Sequence, residues 1–186
     1  MCGRYFLDRD ISDAALLRIL ETLEARGEDA RLAGDVFPAD RAPALAGGRI
    51  LAMRWGFSAP GGGRLIINAR GETAHEKPMF RGAGRCLLPA SGYYEWSDEA
   101  HGHQRYAFAR PGEAVYMAGL WRRAADGEMR FVILTREATP AAARVHGRMP
   151  VLFAGDLRRA WLEGKHSLPE LLRAAAGDVF IIERQS

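Results

Sequence analysis

The sequence has very little cysteine, no long apolar run and no low-complexity tract. Cys2 and Cys86 are the only cysteines in 186 residues, too few for a disulfide framework and without the spacing of a zinc site. We therefore expect no metal and no cofactor. No stretch is long enough to span a membrane, and the first residues lack the apolar run of a signal peptide, which favours a cytoplasmic location.

Lysine is equally scarce, whereas arginine is abundant. Only Lys77 and Lys165 are lysines among 26 cationic side chains, which leaves 24 arginines and a formal net charge of +3. The planar guanidinium group of arginine suits bidentate binding of phosphate. The chain is also rich in alanine and glycine, so genomic composition explains the arginine excess equally well. Charge alone is therefore a weak indication of nucleic-acid binding.

The length and composition are those of a single folded domain, which we expect to span residues 1–186. Hydrophobic residues make up 48% of the chain and charged residues 26%, as in an ordinary globular protein. A first helix is predicted over residues 13–25, capped by Ser12 and stopped at Gly27. Its apolar face contains Leu16, Ile19, Leu20 and Leu23.

Most of the remaining pattern indicates strands in the middle of the chain. Strands are predicted over residues 49–55, 65–69, 85–88, 92–96, 104–109, 114–121, 129–135, 150–153 and 179–182, and helices over 140–145, 156–163 and 169–176. Strands and helices do not alternate regularly, so a parallel sheet is not expected. We predict an α+β fold in which largely antiparallel sheets form a barrel-like core with flanking helices.

The second residue carries the most unusual chemistry. Its small side chain permits removal of Met1, which would make Cys2 the N-terminus. An N-terminal α-amine titrates at about 7.7–8.0 and a cysteine thiol at about 8.5, so both nucleophiles are accessible near physiological pH. The amine can condense with an aldehyde to a Schiff base, and the thiol can then close a thiazolidine ring. The alternative is a small buried cysteine that happens to lie early in the chain.

Two polar clusters follow predicted strands or lie within them. Asn68 could bind a sugar or a nucleophile and Arg70 a phosphate, although the same segment could instead cap a helix. In the sequence from Gly92 to Trp96, strand alternation puts Tyr93 and Glu95 on one face and Tyr94 and Trp96 on the other. A Glu among aromatic residues tends to have a raised pKa and could act as a general acid or base. Its alternative is a solvated Glu on an amphipathic strand.

Two further clusters have similar alternatives. His146 could transfer protons and Arg148 could bind phosphate, or His146 could simply lie at the end of a helix. Trp55 could stack on an unpaired base, or it could pack in the core.

Taken together, these clusters resemble the SRAP family, the SOS-response-associated peptidases or abasic-site-processing proteins. The resemblance extends over nearly the whole chain, in order, and rests on the joint spacing of motifs that are individually weak. They are Cys2-Gly3-Arg4-Tyr5, Pro38 in Val-Phe-Pro-Ala, Trp55-Gly56-Phe57, Asn68-Ala69-Arg70-Gly71-Glu72-Thr73, Lys77-Pro78-Met79-Phe80, the run from Arg85 to Trp96, Leu134-Thr135-Arg136-Glu137-Ala138 and His146-Gly147-Arg148-Met149-Pro150.

The resemblance implies a covalent reaction with abasic sites in single-stranded DNA, as part of the DNA damage response. Cys2 would link to the ring-opened deoxyribose through a thiazolidine. Glu95 would be the acid or base, His146 would assist sugar opening and reversal of the link, and Asn68 would hold the linkage. A peptidase activity that removes residues before Cys2 is also implied. A nucleoid-associated location would follow from the DNA ligand.

The resemblance also implies a set of DNA contacts. Arg4, Arg70 and Arg148 would bind backbone phosphates, and Trp55 with Gly56 would form a wedge where a single strand meets a duplex. Further contacts are expected at Pro38, Met79 and Trp96. The fold implied is a sheet-built, barrel-like core with flanking helices, in agreement with the pattern above.

Two other classes of function remain open at this point. Glutamine amidotransferases, which are N-terminal nucleophile hydrolases, also begin Met-Cys-Gly, although they need a much longer domain and give no role to the Glu95 or His146 motifs. A non-catalytic binder of single-stranded nucleic acid would bind reversibly and leave no covalent product.

Overall fold

A computed structural model describes residues 2–59, 61–97 and 102–175, together with the backbone of 181–184. Its strands are β1 Arg4–Leu7, β2 Gly34–Val36, β3 Arg41–Ala46, β4 Arg49–Trp55, β5 Phe57–Ser58, β6 Leu65–Ile66, β7 Asn68–Arg70, β8 Gly84–Ala90, β9 Gly92–Trp96, β10 Arg105–Ala109, β11 Val115–Arg123, β12 Met129–Glu137, β13 Arg148–Pro150 and β14 Ile181–Arg184. The α-helices are α1 Ala14–Ala25, α2 Asp156–Glu163 and α3 Leu168–Ala174, and short 3-10 helices span Ala74–Glu76, Pro78–Phe80 and Ala142–Arg144.

The strands form two main sheets. One is antiparallel, in the order β14-β10-β9-β1-β2. In the other, β11, β8, β3, β4 and β12 follow one another, and β12 pairs again with β11, so these strands close into a ring. β7 and β13 add to β12, and the pairings of β12 with β4 and β7 are parallel. The predicted α+β class, with mostly antiparallel sheets and flanking helices, is confirmed, and the core is a ring of strands, not a regular barrel.

The two sheets bury their inner faces against each other. Tyr5 of β1 packs on Trp55 of β4, with ring centroids 5.2 Å apart, and both side chains are fully buried. Helix α1 packs against β3 and β4, and α2 packs against β8. No helix within the described ranges is both long enough and apolar enough to cross a membrane.

The first helix has the predicted apolar face but a different cap. Leu16, Ile19, Leu20 and Leu23 are buried, as expected. The N-cap is Asp13, not Ser12, because the Asp13 carboxylate accepts hydrogen bonds from the backbone N–H of Ala15 and Leu16. Its second oxygen accepts from the Ala114 N–H at 2.9 Å, which also ties the helix to the start of β11.

Several predicted elements differ from the observed ones. Strands β1, β2 and β3 were not predicted, and the predicted strand 65–69 is split between β6, which pairs with β5, and β7, which pairs with β12. The predicted helix 140–145 is only the short 3-10 helix Ala142–Arg144, since so short a segment cannot offset the cost of helix nucleation.

The end of the chain also departs from prediction. Residues 150–153 do not form one regular strand. The Val151 N–H donates to the Leu134 carbonyl of β12, whereas the Val151 carbonyl and the Phe153 N–H bond to Ala118 and Tyr116 of β11. The predicted helix 169–176 is observed as Leu168–Ala174, and the predicted strand 179–182 as Ile181–Arg184. Positions 176, 179 and 180 lie outside the described residues.

Candidate active site

Cys2 lies immediately before β1, in the interior of the protein. Strand β1 runs between β2 and β9, and Tyr5 pairs with Tyr93 across the β1–β9 ladder. The Cys2 side chain is fully buried, and its thiol points to the backbone oxygen of Arg4 at 3.8 Å. Burial raises the pKa of this thiol well above its ordinary value, and the negative charge of Glu95 raises it further. Both effects disfavour the thiolate form of Cys2.

Glu95 projects from β9 toward Cys2. The predicted alternation is confirmed, since Tyr93 and Glu95 are buried on the inner face whereas Tyr94 and Trp96 are only half-buried on the other. Burial raises the pKa of the Glu95 carboxyl, and the nearby charge of His146 partly opposes this shift. A carboxyl with a raised pKa is suited to donate and accept protons near neutral pH.

Asn68 fixes the backbone of Cys2. The residue begins β7, which pairs with β12 so that Asn68 lies opposite Ile133. Its side-chain Nδ2 donates a hydrogen bond to the carbonyl oxygen of Cys2 at 2.8 Å. Because β7 is held in the ring sheet, this bond anchors the N-terminal segment to the core of the molecule.

His146 lies at the turn before β13. Its Nδ1 is 3.0 Å from both the backbone nitrogen and the carbonyl oxygen of Arg148, which fixes the orientation of the ring. His146 lies close enough to Glu95 to lower the pKa of its carboxyl. The structure thus brings Cys2, Asn68, Glu95 and His146 close to one another.

Two tyrosine hydroxyls beside Cys2 were not singled out from the sequence. Tyr5 and Tyr93 are fully buried, and their Oη atoms have no hydrogen-bond partner among the described residues. Burial raises the pKa of both phenols, and the charge of Cys2 contributes to each shift. The signal available in the sequence was the position of Tyr5 within the Cys2-Gly3-Arg4-Tyr5 motif.

Arg4 and Trp96 lie together on the outer face of the antiparallel sheet. The Arg4 guanidinium is 4.5 Å from the ring centroid of Phe37 and 5.2 Å from that of Trp96, and it lies 3.6 Å from Asp35. Phe37 is 40% exposed. Pro38, which follows Phe37, is half-buried. The expected DNA contacts Arg4, Pro38 and Trp96 therefore lie near one another at this surface.

Arg148 forms an ion pair and hydrogen bonds within the protein. Its terminal nitrogens contact both carboxylate oxygens of Glu72 at 2.9 and 2.8 Å, and one of them also donates to the backbone oxygen of Thr135 at 2.9 Å. The pKa of Glu72 is lowered chiefly by this hydrogen bonding with Arg148. The expected contact of Arg148 with a DNA phosphate stays a prediction, and in this structure the side chain joins β13, β12 and the segment after β7.

The DNA wedge expected at Trp55 and Gly56 stays a prediction, and in this structure both residues lie in the core. Trp55 is fully buried, its indole N–H donates to the Ile67 carbonyl at 2.9 Å, and its ring stacks on Phe131 at 6.1 Å between centroids. Gly56 is buried too, and a Cβ there would lie 3.2 Å from Leu65. The core-packing alternative therefore holds for both residues.

Arg70 and Met79 line a cavity of about 290 Å³ beside Asn68. Arg70 is exposed at the end of β7 and Met79 is half-buried. A larger cavity of about 510 Å³ lies elsewhere and contains none of the predicted site residues. Its arginines Arg31, Arg41 and Arg54 are each within 3.6 Å of a carboxylate, so we do not regard it as the site.

Comparison with known proteins identifies relatives of this chain. The family model described as SOS response associated peptidase (SRAP) matches residues 1–182. The chain is 28% identical over 192 residues to the abasic site processing protein YoaM of Bacillus subtilis (strain 168), covering 94% of this chain and 84% of that protein. It is 31% identical over 132 residues to the abasic site processing protein YedK of Escherichia coli (strain K12), covering 66% of this chain and 59% of that protein.

Solved structures share the fold. A protein from Bordetella bronchiseptica superposes with a TM-score of 0.76 at 21% identity, covering all of both chains. A phage-related protein from the same organism gives a TM-score of 0.72 at 27% identity, covering 99% of this chain and 94% of that one.

Proposed function

The chain belongs to the SOS response associated peptidase (SRAP) family, and from that membership we propose that it processes abasic sites in DNA by covalent capture through Cys2. The observation that carries this proposal is the surroundings of Cys2. The Cys2 carbonyl oxygen accepts a hydrogen bond from Asn68 at 2.8 Å. The negative charge of Glu95 raises the pKa of the Cys2 thiol, and the charge of His146 lowers the pKa of Glu95. Relatives named abasic site processing proteins support the class of substrate.

The reaction begins once Met1 has been removed, because only a free α-amine can form a Schiff base. Of Glu95 and His146, one protonates the ring oxygen of the abasic deoxyribose and the other accepts the proton of the anomeric hydroxyl, so that the C–O bond of the ring breaks and the sugar opens to its aldehyde. The amine of Cys2 then adds to the aldehyde carbon, and loss of one water gives the imine. The thiol adds to the imine carbon, its proton passes to the imine nitrogen, and a thiazolidine results.

The burial of the thiol favours the amine as the first nucleophile. Burial raises the pKa of the Cys2 thiol and so disfavours the thiolate, which is the nucleophilic form. The thiol reacts second, when the imine is already next to it and the addition is intramolecular. Glu95, with its raised pKa, can supply a proton for sugar opening or water loss and take one back later.

We propose that the DNA is single-stranded around the site. The abasic sugar then enters without breaking a base pair, and Arg4, Trp96 and Arg70 contact the strand through its phosphates and bases. Arg4 between Phe37 and Trp96 is suited to such contacts, since stacked arginine and aromatic side chains bind unpaired nucleotides without reading their sequence. Removal of residues before Cys2 and reversal of the link, both by the same active-site groups, belong to this proposal.

The matched pair of cysteines provides the test. Mature protein is mixed with a single-stranded oligonucleotide containing one abasic site, and products are separated on a denaturing gel. We expect an adduct with the wild type and with Cys86→Ala, because Cys86 is buried in β8 as part of the core. Cys2→Ala should give none. A full yield of adduct with Cys2→Ala would contradict the mechanism. So would the absence of an adduct with Cys86→Ala in protein that is verified to be folded.

A further inference from the structure

We propose that the hydroxyl groups of Tyr5 and Tyr93 donate hydrogen bonds to the Cys2 sulfur when it carries negative charge, as the thiazolidine ring closes and opens. The assignment rests on the proposed function, because that reaction is what charges the sulfur. It gives the two tyrosines a role in the step at sulfur, and none in the opening of the sugar.

The two tyrosines lie side by side on the inner face of the antiparallel sheet. Tyr5 of β1 pairs with Tyr93 of β9, and both side chains are fully buried. The Tyr5 ring packs on Trp55 with centroids 5.2 Å apart, and the Tyr93 ring stacks on Phe108 at 4.9 Å. Burial raises the pKa of both phenols, and the charge of Cys2 raises it further, so both hydroxyls lie within electrostatic reach of the same sulfur.

The hydroxyls of Tyr5 and Tyr93 are buried but have no hydrogen-bond partner within the described part of the chain. A buried hydroxyl without a partner is unfavourable, and phenylalanine would fill nearly the same space without that cost. Packing therefore does not explain two such groups on neighbouring strands beside the nucleophile. Each retains an O–H that can be donated to a group that becomes charged during the reaction.

The Cys2 sulfur needs different neighbours when it loses its proton. In the structure, the thiol donates to the backbone oxygen of Arg4 at 3.8 Å. A thiolate has no proton to donate, and the partial negative charge of a carbonyl oxygen repels it. Burial and the charge of Glu95 also disfavour the thiolate. The O–H groups of Tyr5 and Tyr93 are donors to which the sulfur can turn by rotation of the Cys2 side chain.

Opening of the thiazolidine ring produces this charge. Once the ring nitrogen has gained a proton, the bond between carbon and sulfur breaks, its electron pair stays on sulfur, and an iminium ion and a thiolate result. Closure is the reverse, since the thiolate adds to the iminium carbon and the C=N electron pair returns to nitrogen. Hydrogen bonds to a charged group are stronger than those between neutral groups, so the two phenols favour both directions. Addition of the amine to the aldehyde places no charge on sulfur and should not depend on them.

The test measures how much imine accumulates before the ring closes. Mature protein reacts with an abasic single-stranded oligonucleotide in the presence of cyanoborohydride, which reduces the imine but not the thiazolidine, and peptide mass spectrometry quantifies both products at Cys2. Loss of one hydrogen bond to a charged sulfur should slow closure by about tenfold or more. We expect Tyr93→Phe and Tyr5→Phe to raise the ratio of reduced imine to thiazolidine by a similar factor, with melting temperatures equal to or above that of wild type.

The matched control is Tyr116→Phe. Tyr116 is also buried, but the charges that act on its hydroxyl are those of Asp13 and Arg158, not that of Cys2. Its ratio of products should equal that of wild type.

The outcomes separate the alternatives. A wild-type ratio in both folded variants would overturn the role of the hydroxyls, whether or not the melting temperature falls. Equal slowing of imine and thiazolidine formation would place the tyrosines in an earlier step and would also overturn it. Absence of any adduct in wild type and in Tyr116→Phe would refute the covalent capture itself, so the two failures are distinguishable.

Discussion

Replacement of Trp55 by Phe distinguishes a core residue from a DNA wedge. The change removes the indole N–H that donates to the Ile67 carbonyl at 2.9 Å. That oxygen also accepts the Ile133 N–H at 3.0 Å and is not left unsatisfied, so the missing bond is worth only about 0.5–1.5 kcal/mol. The smaller ring also packs less completely against Phe131 and Tyr5, which adds about 1–2 kcal/mol for a partly filled cavity.

These contributions give a destabilisation of about 1.5–3.5 kcal/mol. For a chain of this length, we expect the melting temperature to fall by about 3–14 °C. Thermal unfolding followed by circular dichroism measures this, and a fluorescence titration measures DNA affinity at a temperature where the variant is folded. Affinity should be unchanged.

The matched control is Trp96→Phe. Trp96 lies over Arg4 on the outer face, so the change should lower DNA affinity and leave the melting temperature nearly unaltered. The reverse pattern, in which Trp55→Phe melts like wild type but binds a single-strand–duplex junction more weakly, would refute the assignment of Trp55 to the core.

Other substitutions test the site and its supports. Glu95→Gln should slow adduct formation by about 10²–10⁴-fold in single-turnover assays, and a wild-type rate would remove Glu95 from the reaction. The same variant should be more stable than wild type at neutral pH, because burial raises the pKa of Glu95 and disfavours its ionised form. In urea titrations this difference should vanish below the unfolded-state pKa, where the carboxyl is neutral in both states, and grow as pH rises to the folded-state value. Glu72→Gln should lower stability by about 1 kcal/mol at neutral pH, since Glu72 is partly exposed. The lowered pKa of Glu72 means that its contribution exists above the unfolded-state pKa and is lost as pH falls through the folded-state value. If Glu72→Gln lowered the free energy of unfolding equally at pH values above and below the folded-state and unfolded-state pKa values of Glu72, the ion pair would be contradicted.

The parts of the fold predicted correctly from the sequence are those set by local periodicity. The buried face of α1 follows from the spacing of its apolar residues, and the common face of Tyr93 and Glu95 follows from the alternation of a strand. Strands β1, β2 and β3 were missed. β2 has only three residues, and β3 contains Pro43 and three alanines, so neither resembles the usual β-branched pattern.

The features that could not be predicted depend on partners distant in sequence. Arg148 and Glu72 are separated by 76 positions, so their pairing could not be inferred from either motif. Trp55 is buried because β4 is covered by Tyr5 and Phe131, which come from other strands. The grouping of Cys2, Asn68, Glu95 and His146 was expected only from the resemblance, since it requires β1, β7, β9 and the turn before β13 to meet.

The most direct test of the central claim is intact-mass spectrometry of the adduct, with and without a free amine on Cys2. Mature protein, with Cys2 as its first residue, should gain the mass of the abasic oligonucleotide minus one water, and peptide mapping should locate the change at Cys2. Protein that retains an uncleaved tag before Cys2 should bind the oligonucleotide but form no denaturant-stable adduct, because the Cys2 nitrogen is then a peptide amide. The same stable adduct in verified, uncleaved protein would contradict the account.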